Sequence, residues 1–154
     1  MQNVKVLKAI IIMLAIALIA VAYKFTKGSV APSNDARIAV VLSKDERNLI
    51  LNEMRNFLIS VQGVSEAISN NDMHHVAKLS TEAGMKVEEN APGALLAKIP
   101  LDMKKLGFDT RQKFDQISAD ATTLKDPLHS RKQLDALMKN CIACHASYQL
   151  VEAK

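Results

Sequence analysis

A long apolar stripe with helical spacing runs through the middle of the chain and most constrains its fold. The stripe recurs at intervals of three or four residues: Ile50, Met54, Phe57, Val61, Val64 and Ile68. Residues spaced in this way lie on one face of an α-helix. Ser43 followed by Glu46 forms a capping box, in which each side chain bonds to the backbone N–H of the other residue. The sequence therefore predicts a helix from about Lys44 to Ser69 with one buried face.

A second helix is predicted after the polar turn that follows. Asp72 is its candidate N-cap, and its stripe is formed by Met73, Val76, Ser80, Ala83 and Val87. Pro100 and Gly107 interrupt the next stretch of the chain. We therefore expect only a short helical turn and an irregular connection over residues 94–108.

Two more helices are predicted in the C-terminal part. Asp109 or Thr110 is expected to cap a third helix, whose stripe is Phe114, Ile117, Ala121 and Leu124. Asp126 followed by Pro127 is typical of a helix start, so a fourth helix should run over about residues 127–150. Its inward stripe is Leu134, Leu137, Cys141, Cys144 and Tyr148.

The composition favours helices over sheets, since the chain has no Trp, two Tyr, four Phe and five Gly. Its 154 residues suffice for one domain and are too few for two of ordinary size. Four helices joined by short connections predict an all-α fold, an antiparallel four-helix bundle over residues 43–154. No internal repeat or low-complexity tract is present.

Residues 9–22 are apolar without interruption and are typical of an export signal. Lysines flank this run on both sides: Lys5, Lys8, Lys24 and Lys27. The run fits a signal-peptide core and is shorter than the roughly 20 residues of a spanning helix. Residues 20–22 offer a cleavage site, whereas the lysines after them favour retention in the membrane. We expect residues 1–22 to be a signal peptide or a membrane anchor, residues 23–42 to be a linker, and the domain to be periplasmic.

The same lysines account for the formal charge of +4. The remainder of the chain is about neutral and shows no basic stripe with interleaved aromatic residues. We therefore expect no nucleic-acid partner.

The two cysteines of the chain lie in the segment Cys141-Ile142-Ala143-Cys144-His145. This C-x-x-C-H pattern is that of c-type haem attachment. Residues i, i+3 and i+4 share one helix face, so two thiols can bond to the vinyl groups of a porphyrin while the imidazole binds its iron. The sequence predicts one covalent haem c, with Cys141 and Cys144 as the attachment residues and His145 as an axial ligand.

Three other readings of the cysteine pair remain open. A redox dithiol normally lies at a helix N-terminus after a strand, where a thiol pKa is lowered. A structural zinc site needs about four protein ligands. A disulfide between positions i and i+3 of one helix is geometrically awkward.

An exported helical bundle with its C-x-x-C-H motif in the last helix resembles the cytochrome c′ family. The resemblance covers about residues 43–150, and its haem motif is more specific than the bundle pattern. In that family the first helix supplies the residue that faces the sixth coordination site of the iron. That residue is apolar in the gas-binding members and Met in the low-spin electron-transfer members. The resemblance implies that Met54 is the sixth ligand, as in the low-spin members, and that Met54 and His145 together bind the metal.

One position departs from the family pattern. Many members carry an Arg four residues after the haem-binding His, where this chain has Gln149. A cation beside the proximal imidazole is therefore not implied here.

Two functions follow from these expectations. The first is a one-electron carrier that exchanges electrons with redox partner proteins, and the second is a five-coordinate protein that binds nitric oxide or carbon monoxide. The sequence shows no paired carboxylates on one helix face and no candidate distal His or Arg, so we do not expect an enzyme. His74 and His75 are interpreted as a solvated helix start, and His129 lies too far along its helix to reach the haem iron. Homodimer formation is left open.

Overall fold

The computed structural model describes residues 2–86 and 92–153, which form six helices and one three-stranded sheet. The helices are α1 (Gln2–Lys27), α2 (Lys44–Ser69), α3 (Met73–Ala83), α4 (Gly93–Leu96), α5 (Leu101–Thr123) and α6 (Pro127–Ser147). The strands are β1 (Val30–Ala31), β2 (Ile38–Leu42) and β3 (Tyr148–Glu152). The mostly helical chain agrees broadly with the all-α expectation, and the small sheet is an addition to it.

Polar side chains cap three of the helices where the sequence indicates. The Ser43 backbone N–H donates to Glu46 Oε2 over 2.8 Å, and the Glu46 N–H donates to Ser43 Oγ over 3.4 Å. Asp72 accepts from the backbone N–H of His75, and Asp126 accepts from those of the first turn of α6. The predicted start of these helices and the end of α2 at Ser69 are confirmed.

The predicted start of the third long helix is wrong. α5 begins at Leu101, with Pro100 as its N-cap, and continues through Gly107. A proline at a helix start costs no hydrogen bond, because the first N–H groups of a helix have no intrahelical acceptor. A glycine inside a helix costs only about 1 kcal/mol, which the packing of so long a helix offsets.

Three details of the predicted stripes also differ. Leu124, expected on the buried stripe of α5, is 57% exposed and follows the last helical residue. α6 ends at Ser147, so Tyr148 belongs to β3. Val87, expected on the stripe of α3, lies outside the described residues, whereas the rest of that stripe is buried.

Four helices surround the main core. α2 packs against α3 and α6, and α5 packs against the same two helices. The Phe57 and Phe114 rings stack in this core with centroids 5.9 Å apart. The buried members of the main core are Val64, Ala67, Ile68, Met73, Val76, Ala83, Phe114, Ile117, Ala121, Leu134 and Leu137.

The sheet forms at one end of the domain around a second cluster. β2 pairs antiparallel with β1 and parallel with β3, with Ile38 opposite Tyr148 and Leu42 opposite Glu152. The buried members of the second cluster are Val40, Leu42, Ile50 and Leu95, and Met54, Ile99, Met103, Tyr148 and Leu150 pack against them.

The segment 23–42, expected to be an irregular linker, contributes the end of α1 and two strands. β2 pairs with a strand more than 100 residues later in the chain, so no local pattern reveals it. α1 itself is long and apolar enough to cross a membrane, as the helix of a signal sequence or a membrane anchor.

Candidate functional site

The C-x-x-C-H motif lies on the last two turns of α6. Cys141 and Cys144 are half-buried free thiols, and His145 is exposed. Burial raises the pKa of both thiols, and the neighbouring Cys141 also raises that of Cys144. Both thiols are therefore protonated at neutral pH. A redox dithiol needs a lowered thiol pKa at a helix N-terminus, so the geometry does not favour that reading.

A zinc site has no complete ligand set in the part of the chain that the structure describes. No group of three or more His, Cys, Asp or Glu residues in residues 2–86 and 92–153 is arranged to hold a metal ion. A structural zinc would need about four such ligands. The motif residues instead present two thiols, three positions apart, and one imidazole within about one turn of a single helix.

α2 and α6 run in opposite directions beside this motif. Arg131 Nη1, near the start of α6, donates to Ser65 Oγ, near the end of α2, over 3.1 Å. Arg47, in the first turn of α2, donates from Nε to the Leu150 carbonyl oxygen beyond the end of α6 over 3.4 Å. These two bonds show which residues of α2 lie at the same level as which residues of α6 and β3.

A groove of about 320 Å³ lies between the two helices. Its walls are mostly apolar near the middle and polar towards the Arg131 end. The lining residues are Leu58, Val61, Gln62, Ser65, Glu66, Ser69, Arg131, Leu134 and Met138. Its volume lies in the range of about 300–1,000 Å³ that small-molecule and cofactor sites occupy.

The motif continues one wall of the groove. Cys141 and His145 follow Leu134 and Met138 by seven residues each. Seven residues are close to two helical turns, so all four residues lie along the same face of α6. The first thiol and the imidazole therefore lie on the face that borders the groove.

Met54 continues the opposite wall. It precedes Val61, which lines the groove, by seven residues on α2. Arg131 and Ser65 are hydrogen-bonded and so lie at the same level of the two helices. Met54 precedes Ser65 by 11 residues on α2, and Ile142 follows Arg131 by 11 residues on α6. At 1.5 Å per residue, Met54 lies at about the level of the motif.

Met54 and Cys141 have different surroundings. Met54 is half-buried and packs against the second cluster, whereas Cys141 packs against the main core. The site therefore lies at the boundary between the two apolar clusters. Cys141, Cys144 and His145 lie within the last two turns of α6, and Met54 lies on α2 at about the same level. None of these four residues is among those that line the groove.

An ion pair beside Met54 was not expected from the sequence. Arg111 of α5, only 4% exposed, pairs with Glu53, and its guanidinium lies 4.7 Å from the centre of the Phe57 ring. It also donates to the Ala83 carbonyl oxygen over 3.3 Å. These contacts fix the α2 turn that carries Met54 against α5. Arg111 and its partners lie far apart in the sequence, so no local sequence pattern indicated this ion pair.

Tyr148 and Gln149, which follow the motif, belong to β3. Gln149 donates from Nε2 to Ser33 Oγ and to Asp35 Oδ1, so its amide is bound to the turn before β2. Tyr148 packs against the second cluster, and burial raises the pKa of its hydroxyl, with smaller contributions from Asp102 and Cys144.

The other histidines lie away from the motif. His74 and His75 are exposed in the first turn of α3, as the sequence analysis expects. His129 Nε2 lies 3.1 Å from Asp120 Oδ2 at the start of α6. His145 is therefore the histidine placed beside the cysteines.

Comparisons of the chain with protein-family models, with curated proteins and with solved structures find no match. A function is therefore assigned from the residues of the site and their geometry.

Proposed function

We propose that the chain is an exported c-type cytochrome that carries one electron at a time on a single covalent haem c. Cys141 and Cys144 form the thioether bonds, and His145 is one axial ligand. The observation that supports this proposal is the C-x-x-C-H motif on the last two turns of α6, beyond the groove residues Leu134 and Met138 on the same helix. The redox partners are other proteins.

The residues present fit this cofactor. Two neutral thiols three residues apart meet the requirement for addition to two vinyl groups, and an exposed imidazole follows at once. When bound, the haem supplies a reversible one-electron change of its iron. Leu58, Val61 and Leu134 give the neighbouring groove an apolar wall, of which Leu58 is 69% exposed.

Met54 is proposed as the second axial ligand. Its thioether lies on the α2 face that borders the groove and at about the level of the motif. Methionine ligation raises the potential of a haem, which suits electron transfer. The ring of α2, α3, α5 and α6 supports an antiparallel four-helix bundle of the cytochrome c′ type as the framework.

A five-coordinate, gas-binding protein is the second candidate. The observation that favours it is the packing of Met54 against the second cluster. A methionine that fills a core is held away from an iron ligand position. In that case the iron would keep His145 alone and would be open to nitric oxide or carbon monoxide.

The test is to produce the full chain in a host that attaches haem to c-type cytochromes. We expect the purified chain to carry one haem that survives denaturation, and to lose it when Cys141→Ala and Cys144→Ala are combined. His145→Ala should change the visible spectrum because it removes one axial ligand, whereas His129→Ala, the matched control, should leave the spectrum unchanged. A chain that carries no covalent haem under these conditions contradicts the proposal.

The same preparation separates the two candidates. A sharp reduced α-band with the weak near-infrared band of methionine-to-iron charge transfer indicates His and Met ligation and electron transfer. A broad high-spin spectrum that shifts with carbon monoxide indicates an open iron.

A further inference from the structure

The C-terminal end of α1 is fixed to the folded domain. Gly28 follows α1, is buried and has a φ of 70°. A Cβ at this position would lie 2.4 Å from the Lys98 carbonyl oxygen, so only glycine fits there. The same oxygen accepts from the Ser29 backbone N–H over 2.7 Å. The chain therefore enters the domain in one fixed conformation.

A buried lysine completes this attachment. Lys104 of α5 is 6% exposed, and its ammonium donates to the Phe25 carbonyl oxygen over 2.9 Å and to that of Leu96 over 3.2 Å. It also lies 3.4 Å from the centre of the Phe25 ring. A cation at the C-terminal end of a helix satisfies carbonyl groups and interacts favourably with the helix dipole. We call Gly28, Lys104 and Phe25 the anchor seat.

The body of α1 lies outside the domain. Its candidate membrane-spanning part is Val4–Lys27, 24 residues with lysines near both ends, and none of the residues in its most apolar stretch is buried. At 1.5 Å per residue this helix is about 36 Å long, which exceeds the roughly 30 Å hydrocarbon core of a bilayer. Tyr23, Phe25 and two lysines lie at the end next to the domain. Aromatic and basic residues are typical of the membrane interface, so the chemistry of this helix fits lipid.

The motif lies at the same level of the domain as the anchor seat. Asn140 Nδ2 donates to Asp109 Oδ2 over 2.6 Å, which aligns α6 with α5. The short turn between these helices makes them run in opposite directions. His145 follows Asn140 by five residues on α6, and Lys104 precedes Asp109 by five residues on α5. Because the helices run in opposite directions, His145 and Lys104 lie at about the same level.

We propose that α1 remains attached as a membrane-spanning helix and that the anchor seat holds the domain directly on the bilayer, with the motif in the half next to the lipid. The partner of this surface is the bilayer itself. The inference does not depend on haem, because it rests on α1, the anchor seat and the Asn140–Asp109 bond that sets the level of the motif.

The first test is the mass and location of the mature chain. The full chain with a C-terminal tag should retain residues 1–22 and remain in membranes after an alkaline carbonate wash. A soluble chain that begins near Tyr23 would overturn the proposal.

The second test measures the distance of the domain from lipid. The chain contains no Trp, so one introduced Trp is a clean reporter. Lys105→Trp lies beside the seat, and Leu124→Trp lies at the far end of α5. In vesicles of brominated phosphatidylcholine, fluorescence relative to unbrominated vesicles should fall for Lys105→Trp and stay nearly constant for Leu124→Trp. Equal ratios for the two reporters would overturn the fixed placement, even in a chain that keeps α1.

Variants of the seat complete the test. Gly28→Val and Lys104→Met should each reduce the difference between the two reporters. Gly93→Ala is the matched control, because a Cβ at Gly93 meets no atom within 4 Å. Lys104→Met tests the seat independently if Gly28→Val fails to fold. An undiminished difference in Lys104→Met would overturn the role given to that ammonium.

Discussion

Met54 is the residue whose role separates electron transfer from gas binding. It lies on α2 at about the level of the motif, and it packs against the second cluster. The same side chain thus has a structural contact and a position suited to ligation. A substitution must therefore be compared with one that removes only packing.

Met54→Ala should leave haem attachment intact and convert a low-spin iron to a high-spin one, because the sixth ligand is lost. Met103→Ala is the matched control, since Met103 packs against the same cluster. Visible spectra of the oxidised and reduced forms provide the measurement. If both variants keep the spectrum of the unsubstituted protein, Met54 is not a ligand.

Glu46 should make the stability of the domain depend on acid pH. Hydrogen bonds from Lys98, 2.7 Å away, and from the Ser43 backbone N–H lower its pKa from the ordinary 4.5 to about 2. A carboxyl with a lowered pKa stabilises the folded state above its unfolded value. This contribution is complete above about pH 4.5 and is lost as the pH falls towards 2.

The prediction is checked by urea unfolding at several pH values between 2 and 6. Glu46→Gln should lower the stability above pH 4.5 and flatten its decline at lower pH. Asp45→Asn, which removes one charge from the same helical turn, serves as the control and should keep the steeper decline. Parallel pH profiles for Glu46→Gln and the unsubstituted chain would contradict the role given to this carboxyl.

At the scale of the elements, the sequence predicted what depends on neighbouring residues. Ser43, Asp72 and Asp126 cap their helices through bonds that span two or three residues, so the helices that they begin were predicted with their start. The motif was equally visible, because its chemistry is contained in one helical turn.

Elements that depend on distant partners were missed. β2 is stabilised by β3, which follows more than 100 residues later, and the sequence of residues 23–42 alone is typical of a loop. α5 continues through Gly107 because its other residues pack against α3 and α6. The position of Met54 at the level of the motif likewise depends on contacts between helices. The sequence therefore indicated this position only through a family resemblance.

Phe114 should be the residue of α5 on which the main core most depends. It is fully buried and stacks on Phe57 of α2. Phe114→Ala should lower the free energy of unfolding by about 3–5 kcal/mol, the usual range for deleting a buried ring. Phe108→Ala, on the same helix and half-buried, should cost less. Equilibrium unfolding in urea measures both, and equal losses would contradict the packing described here.

At the scale of the whole molecule, the two apolar clusters meet where the motif lies. The main core packs against Cys141, and the second cluster packs against Met54 and Tyr148. A cofactor held at this boundary would contact both clusters at once. Its attachment should therefore link the helices around the main core to the sheet end of the domain.

This arrangement predicts that haem attachment stabilises the entire domain. The Cys141→Ala, Cys144→Ala double variant should unfold at a lower temperature than the chain with haem, because a group bound only in the folded state raises its stability. Helical circular dichroism during heating measures the loss for the whole fold. Ile142→Ala is the control, since Ile142 lies within the motif and is 69% exposed; it should change the melting temperature little. A double variant that melts at the temperature of the haem-bearing chain would show that the porphyrin is not part of the interior.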